Sequence, residues 1–215
     1  MIDENSIARL VKQKVVTATF RRLAPEKKEQ IYRASIGLFG EYGYDGLAVD
    51  KICTMAGISK GSFFQYFPSK SHLLEFTILI FDETLSGWIG SIRDSDRKGL
   101  ARQRLIHLYR SLTVNAQMDP NDLRFYLFAT NALNHAGVAI EGIEMDRHLN
   151  EYVAEIISRG EETGEIRGDF DAELTGYLVS LIMAGIIQRQ FSQKRLPPEQ
   201  VEEYLISFLF DGVKG

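Results

Sequence analysis

A chain of 215 residues, 45% apolar and 25% charged, with 5 prolines and a single cysteine, has room for one large or two modest domains and excludes collagen-like, disordered and disulfide-knot classes. It opens Met1-Ile2-Asp3-Glu4 without an apolar leader, and its longest apolar-rich run, Tyr177 to Ile187, is well short of the ~20 residues of a spanning helix, so a cytoplasmic protein with no membrane segment is expected. The net charge of −4 is unevenly spread: residues 1–75 carry 11 Lys/Arg against 8 Asp/Glu, and residues 76–215 carry 14 against 21.

Residues 1–24 read as a basic N-terminal extension. Ile7, Leu10, Val11 and Val15 share an apolar face, while Arg9, Lys12, Lys14, Arg21 and Arg22 have no acid between them. An arm or extra helix that adds DNA contacts fits this pattern, and so does a helix docked on its own domain. From Pro25, suited to a first turn, apolar positions recur at Ile31, Ala34, Leu38, Phe39 and Tyr42 and predict an amphipathic helix ending at Gly43. A second helix is predicted over Val49–Ala56, stopping at Gly57. A third, over Lys60–Tyr66, is capped by the Ser59 hydroxyl and stopped by Pro68. Ser69 caps a fourth, with the stripe Leu74, Ile78, Phe81, Leu85, Trp88 and Ile92. Break signals then divide the chain into helical segments near 99–118, 121–135, 141–163, 171–194 and 198–211. No period-two alternation occurs, so the fold class is all-α.

Two short helices around Gly57-Ile58-Ser59 have the lengths of a helix-turn-helix, in which the second helix enters the major groove. Lys60, Ser62, Gln65 and Tyr66 are its polar positions, with Phe63 and Phe67 able to pack inward. A polar-faced helical hairpin with no DNA role has the same pattern. The run Ile31-Tyr32-Arg33-Ala34-Ser35-Ile36-Gly37-Leu38-Phe39, then Gly43-Tyr44, Ile52, Ala56-Gly57-Ile58-Ser59-Lys60-Gly61-Ser62-Phe63-Phe64-Gln65-Tyr66-Phe67-Pro68-Ser69-Lys70 and Leu73-Leu74, resembles the N-terminal signature of the TetR/AcrR family of transcriptional regulators. The resemblance covers residues 28–74. It implies a three-helix DNA-binding domain over residues 25–70, a helical ligand-binding and dimerisation domain over 71–215, and a homodimer formed through the last two helices, about 171–211. Position by position it implies DNA contacts from Ser62, Phe64, Gln65, Tyr66 and Lys70, with Lys60 and Gly61 near the backbone. Two positions depart from the family pattern. Leu47-Ala48 stand where hydroxyl residues usually cap the second helix and touch phosphate, and Phe64 stands where Tyr is usual.

Residues 174–191 are apolar almost all round, and residues 198–211 add Val201, Tyr204, Leu205, Phe208 and Leu209, a pattern that points to an oligomer interface. Polar groups within apolar helical segments, namely Tyr109, Tyr126, Thr130, Asn131, Asn134 and His135, together with Trp88 and Met183, are the candidate ligand contacts; satisfied core polar residues are the other reading of each. Gly57-Ile58-Ser59-Lys60-Gly61 spells a hydrolase nucleophile elbow, but a helix rather than a strand precedes Ser59, and Ser95-Asp96-Arg97-Lys98 spells S-x-x-K in a polar loop without partner motifs. No metal or cofactor motif is present. The expected function is a sequence-specific DNA-binding regulator rather than an enzyme, most simply a homodimeric repressor that a small, largely apolar effector releases from its operator. A helical interaction protein without specific DNA binding is the alternative.

Overall fold

The computed structural model describes residues 2–113, 119–135, 140, 143–168, 171–191 and 197–211. Every regular element among them is an α-helix: α1 (Glu4–Lys12), α2 (Ala18–Arg21), α3 (Pro25–Tyr42), α4 (Val49–Ala56), α5 (Lys60–Tyr66), α6 (Lys70–Ser95), α7 (Ala101–Thr113), α8 (Pro120–His135), α9 (Arg147–Thr163), α10 (Ala172–Phe191) and α11 (Pro198–Asp211). Local signals account for most boundaries. Pro25 opens α3, Gly43 ends it at φ 65°, and Ser59 accepts the Ser62 N–H to cap α5. The segment expected from residue 141 begins instead at Arg147, because its buried stripe, Tyr152, Val153, Ile156, Ile157 and Gly160, lies beyond that point.

The chain packs as two compact units that are not contiguous in sequence: Met1–Thr84 with Asp119–Met145, and Leu85–Met118 with Asp146–Gly215. In the first, Phe20, Phe67 and Phe76 meet with ring centroids 5.0–5.5 Å apart, and all three are fully buried. Phe63 joins them at 5.7 Å from Phe67. The N-terminal extension is thus part of this core: Ile7, Leu10, Val15, Val16 and Phe20 are all buried. Two ion pairs hold α1 in place. Glu4 takes the ammonium of Lys28, which is itself buried, and Glu83 takes Arg9 while accepting the Ser6 hydroxyl at 2.6 Å.

Helix α8 packs against α3 within the same unit. A Cβ added at Gly40 would stand 2.9 Å from the Phe125 N and 3.1 Å from the Arg124 C, so the two backbones approach as closely as a glycine allows. Phe39 stacks on Phe128 at 6.0 Å, and Arg33 donates to both carboxylate oxygens of Asp122 at 2.9 and 3.1 Å. Burial raises the Asp122 carboxyl above its ordinary value, while Arg33 pulls it the other way.

In the second unit, α9 and α10 touch through Gly176, whose Cβ would meet Ala154 backbone atoms at 2.9 Å. Arg104 of α7 is fully buried and donates to Glu155 at 2.6 Å, while Arg93 reaches the other oxygen of Glu155 at 3.1 Å. Arg110 of α7 makes a two-pronged pair with Glu202 of α11 at 2.7 and 2.8 Å. The apolar helices expected to form an oligomer interface are only partly covered within the single chain. Leu174, Tyr177, Leu178 and Leu181 form an exposed stripe at i, i+3, i+4 and i+7 along α10, and Tyr204 and Phe208 are 69% and 65% exposed on α11.

Gly40→Ala should destabilise the protein by ~1–3 kcal/mol in urea unfolding, because the new methyl meets backbone atoms of α8 that cannot yield alone; this outweighs the ~1 kcal/mol that alanine gains over glycine inside a helix. Gly37→Ala, whose Cβ meets only the Asn121 Cγ at 3.9 Å, is the control and should be neutral or stabilising. Equal stability of the Gly40→Ala protein and its parent would show that the contact is slack.

Candidate nucleic-acid interface

The turn between α4 and α5 is set by backbone chemistry. Gly57 takes φ 59°, ψ 46°, the left-handed region that a side chain disfavours, and the Ile58 N–H then bonds to the Cys53 carbonyl at 2.9 Å. Lys27 of α3 donates to the Ala56 and Gly57 carbonyls at 2.9 and 2.8 Å, satisfying acceptors that the helix end leaves open. At the other end of α4, Ala48 occupies the N-cap with no side-chain hydrogen bond, as the Leu47-Ala48 departure implies. Cys53 is buried, and desolvation raises its thiol above the ordinary value, which leaves it un-ionised at neutral pH.

On α5 the expected division between faces holds. Phe63 is fully buried, as is Phe67 at the C-cap, while Lys60, Gly61, Phe64 and Gln65 are exposed and Ser62 and Tyr66 are half-buried. Lys60 pairs with Asp50 at 2.9 Å, but both are well exposed, so the pair is worth less than ~1 kcal/mol and a phosphate could replace it. The Ser62 hydroxyl lies 2.9 Å from that of Ser59. Phe64 stands edge-on to Phe63 at 5.1 Å and is 51% exposed, an apolar group set among polar ones. This short helix offers donors, acceptors and one apolar contact on one side.

Lys70 is engaged within the protein. Its ammonium donates to the Tyr44 and Leu47 carbonyls at 2.6 and 2.9 Å and sits 4.1 Å from the centre of the Tyr44 ring. An ammonium has three N–H donors, so one is left for a phosphate. The sequence also did not single out Thr17, whose hydroxyl donates to the Gln65 carbonyl at 2.5 Å and accepts from the Phe20 N–H at 3.2 Å. Thr17 N–H donates to the Tyr66 carbonyl at 3.0 Å. A threonine just before a short helix signals an N-cap in sequence, but its second partner, 48 residues away, does not show there.

The candidate ligand residues divide between the two units. Trp88, half-buried, and Tyr109 and Met183, fully buried, belong to one; Tyr126 and Thr130, half-buried, and Asn131, exposed, lie on α8 in the other. The Thr130 hydroxyl oxygen is buried and has no hydrogen-bond partner among the described residues. The side chains of Asn134 and His135 lie outside the described residues. Among the described residues no group of three or more His, Cys, Asp or Glu could hold a metal ion, and no helix is long and apolar enough to cross a membrane.

Residues 31–76 match the family model described as bacterial regulatory proteins, tetR family. Over 167 residues the chain is 25% identical to the nucleoid occlusion factor SlmA of Glaesserella parasuis serovar 5 (strain SH0165), covering 74% of this chain and 79% of that protein. Over 98 residues it is 29% identical to the HTH-type transcriptional regulator RutR of Escherichia coli (strain K12), covering 46% and 44%. The fold is similar to that of the transcriptional regulator FadR from Bacillus subtilis in complex with stearoyl-CoA, with TM-score 0.60 and 18% identity over 87% of this chain and 100% of that one.

Lys70→Met keeps the aliphatic stem but removes both bonds to the α3–α4 loop, and should lower stability by ~1–3 kcal/mol in a urea titration followed by circular dichroism. An unchanged midpoint would mean that the loop does not depend on this ammonium, leaving all of it available to DNA.

Proposed function

We propose that this chain, a DNA-binding transcriptional regulator of the tetR family by the match over residues 31–76, acts as a homodimeric repressor released from its operator by a small, largely apolar ligand. The observation that carries the reading is α5: a short helix anchored by buried Phe63, and by Phe67 at its C-cap, that leaves Lys60, Gly61, Phe64 and Gln65 exposed and Ser62 and Tyr66 half-buried. In the major groove Gln65 pairs with adenine at N6 and N7, and Phe64 contacts a thymine methyl. Lys60, Tyr66 and the remaining N–H of Lys70 hold phosphate. Catalysis has no part in this reading, because the Ser59 hydroxyl caps α5.

The functional division is residues 1–24, 25–70 and 71–215, although packing follows another line and places α8 beside α3. That placement supports a route for regulation. A ligand in contact with Tyr126 or Thr130 acts on a helix already seated against α3 through Gly40 and the Arg33–Asp122 pair. Asn131, Asn134 and His135 belong to the same candidate set, and Trp88, Tyr109 and Met183 are separate candidates within the other unit. By linkage, ligand and operator weaken each other's binding by the same factor, typically ~1–3 kcal/mol. The acyl ligand of the FadR structure supports an apolar effector. The exposed stripes on α10 and α11 support dimerisation through about 171–211, because apolar surface of that kind is costly to leave in water. A dimer sets its two reading helices one helical turn, ~34–36 Å, or a multiple apart.

Duplexes enriched by the purified protein from its own genome should carry two half-sites, and Gln65→Ala should relax the preference at one base pair in each, by ~1–3 kcal/mol. Enrichment of no duplex would remove the regulator reading in favour of a helical interaction protein, and an unchanged preference would remove Gln65 as reader. Replacing Tyr204 and Phe208 together by Glu should turn a dimer into a monomer in sedimentation velocity; a parent protein that sediments as a monomer at micromolar concentration would refute the interface.

A further inference from the structure

The basic N-terminal extension is neither a free arm nor a distant helix, since Thr17 and Phe20 join it to the C-terminal end of α5. Thr17 supplies its N–H and its hydroxyl to the carbonyls of Tyr66 and Gln65, the open acceptors at that end, and Phe20 lies 6.1 Å from the Tyr66 ring and 5.0 Å from the Phe67 ring. Residues a few positions from Thr17 are therefore held beside the reading helix. Lys14, Arg21 and Arg22 are exposed, and none of them makes an ion pair among the described residues. Their segment contains no acid between Glu4 and Glu26, and two acids that face α1 or belong to it are already paired, Glu4 with Lys28 and Glu83 with Arg9. Arg9, although basic in sequence, is thus already paired within the protein.

Lys14 also has a local role, at the end of α1. It takes φ 63°, the only positive φ at a non-glycine residue among those described, in the turn that follows α1. A side chain there carries a steric cost that glycine would avoid. The cost is offset locally, because the turn closes α1: the Lys14 N–H donates to the Val11 carbonyl at 3.1 Å and the Val15 N–H to the Leu10 carbonyl at 3.0 Å. The Lys14 side chain stands exposed at that turn.

Resting on the reading of α5 as a DNA-binding helix, we infer that residues 14–22 form a second DNA-contacting element, in which Lys14, Arg21 and Arg22 bind backbone phosphates flanking the bases that α5 reads. They contribute affinity and salt dependence and no base preference. Truncation cannot test this, because removing the extension also removes Phe20, Ile7 and Leu10 from the core. The variant Lys14→Gly, Arg21→Gln, Arg22→Gln keeps every buried group and relieves the strain at residue 14, so it should melt at or above the parent temperature.

The probe is a duplex that the full-length parent protein enriches from a random-sequence pool. Against it, the triple variant should show a slope of log affinity against log salt that is shallower by about 0.9 for each phosphate no longer neutralised, hence by roughly two to three units, with the same order of base preferences as the parent. If the parent enriches and binds a duplex and the folded variant keeps the parent slope, the second element is refuted while the reading of α5 stands. A variant with altered base preference would also overturn the assignment, by making these residues readers. If the parent enriches no duplex, both readings fall together.

Discussion

The meeting of Phe20, Phe67 and Phe76 is the contact on which the reading head depends. One ring comes from the N-terminal extension, one from the C-cap of α5 and one from α6, so the cluster joins three stretches of chain that local structure alone would leave independent. Helix α5 has seven residues, too few to be stable by itself in water. Its stability and its angle come from what it is packed against. Phe63 and Phe67 anchor it from within, and Thr17 holds its last carbonyls. A DNA-reading helix has to be rigid before it meets the groove, since ordering it on binding would subtract from affinity.

The same unit contains a second close approach, between α3 and α8. Gly40 lets the backbones come together, Phe39 and Phe128 stack beside it, and Arg33 and Asp122 close the edge with two hydrogen bonds. Such an interface transmits a displacement because it has no slack: close-packed side chains pass on a shift that a loose contact would absorb. In the proposed regulation, α8 is therefore the element through which an effector reaches the reading head, even though it follows that head by some 50 residues of chain.

The other unit solves a different problem, the burial of charge. Arg104 is fully buried over the Tyr152 ring, and Glu155 serves both it and Arg93. Leaving Arg104 without that carboxylate would strand a desolvated cation, so the arrangement defines the packing of α7 against α9 more sharply than apolar contacts alone would. The outward stripes of α10 and α11 remain, apolar and uncovered by their own chain.

The amino-acid sequence by itself determined the helices and where most of them end, because those signals are local. The i, i+3, i+4 spacing that led to Phe63 and Phe67, the Ser59 hydroxyl that caps α5 and the left-handed glycine at residue 57 each act within one or two turns of backbone. The tertiary structure alone decided which charged and aromatic groups are already engaged. Arg9 and Lys70 look free for DNA in sequence, yet one is taken by Glu83 and the other largely by the Tyr44 and Leu47 carbonyls. Arg104 occupies a core position on α7 that sequence would assign to an apolar residue, and Phe20 belongs to a segment whose composition suggests a loose arm. The partners of these groups lie tens of residues away, and no periodicity records them. Helix formation reads neighbours along the chain, whereas pairing of charges and packing of rings depend on which surfaces the folded chain brings together.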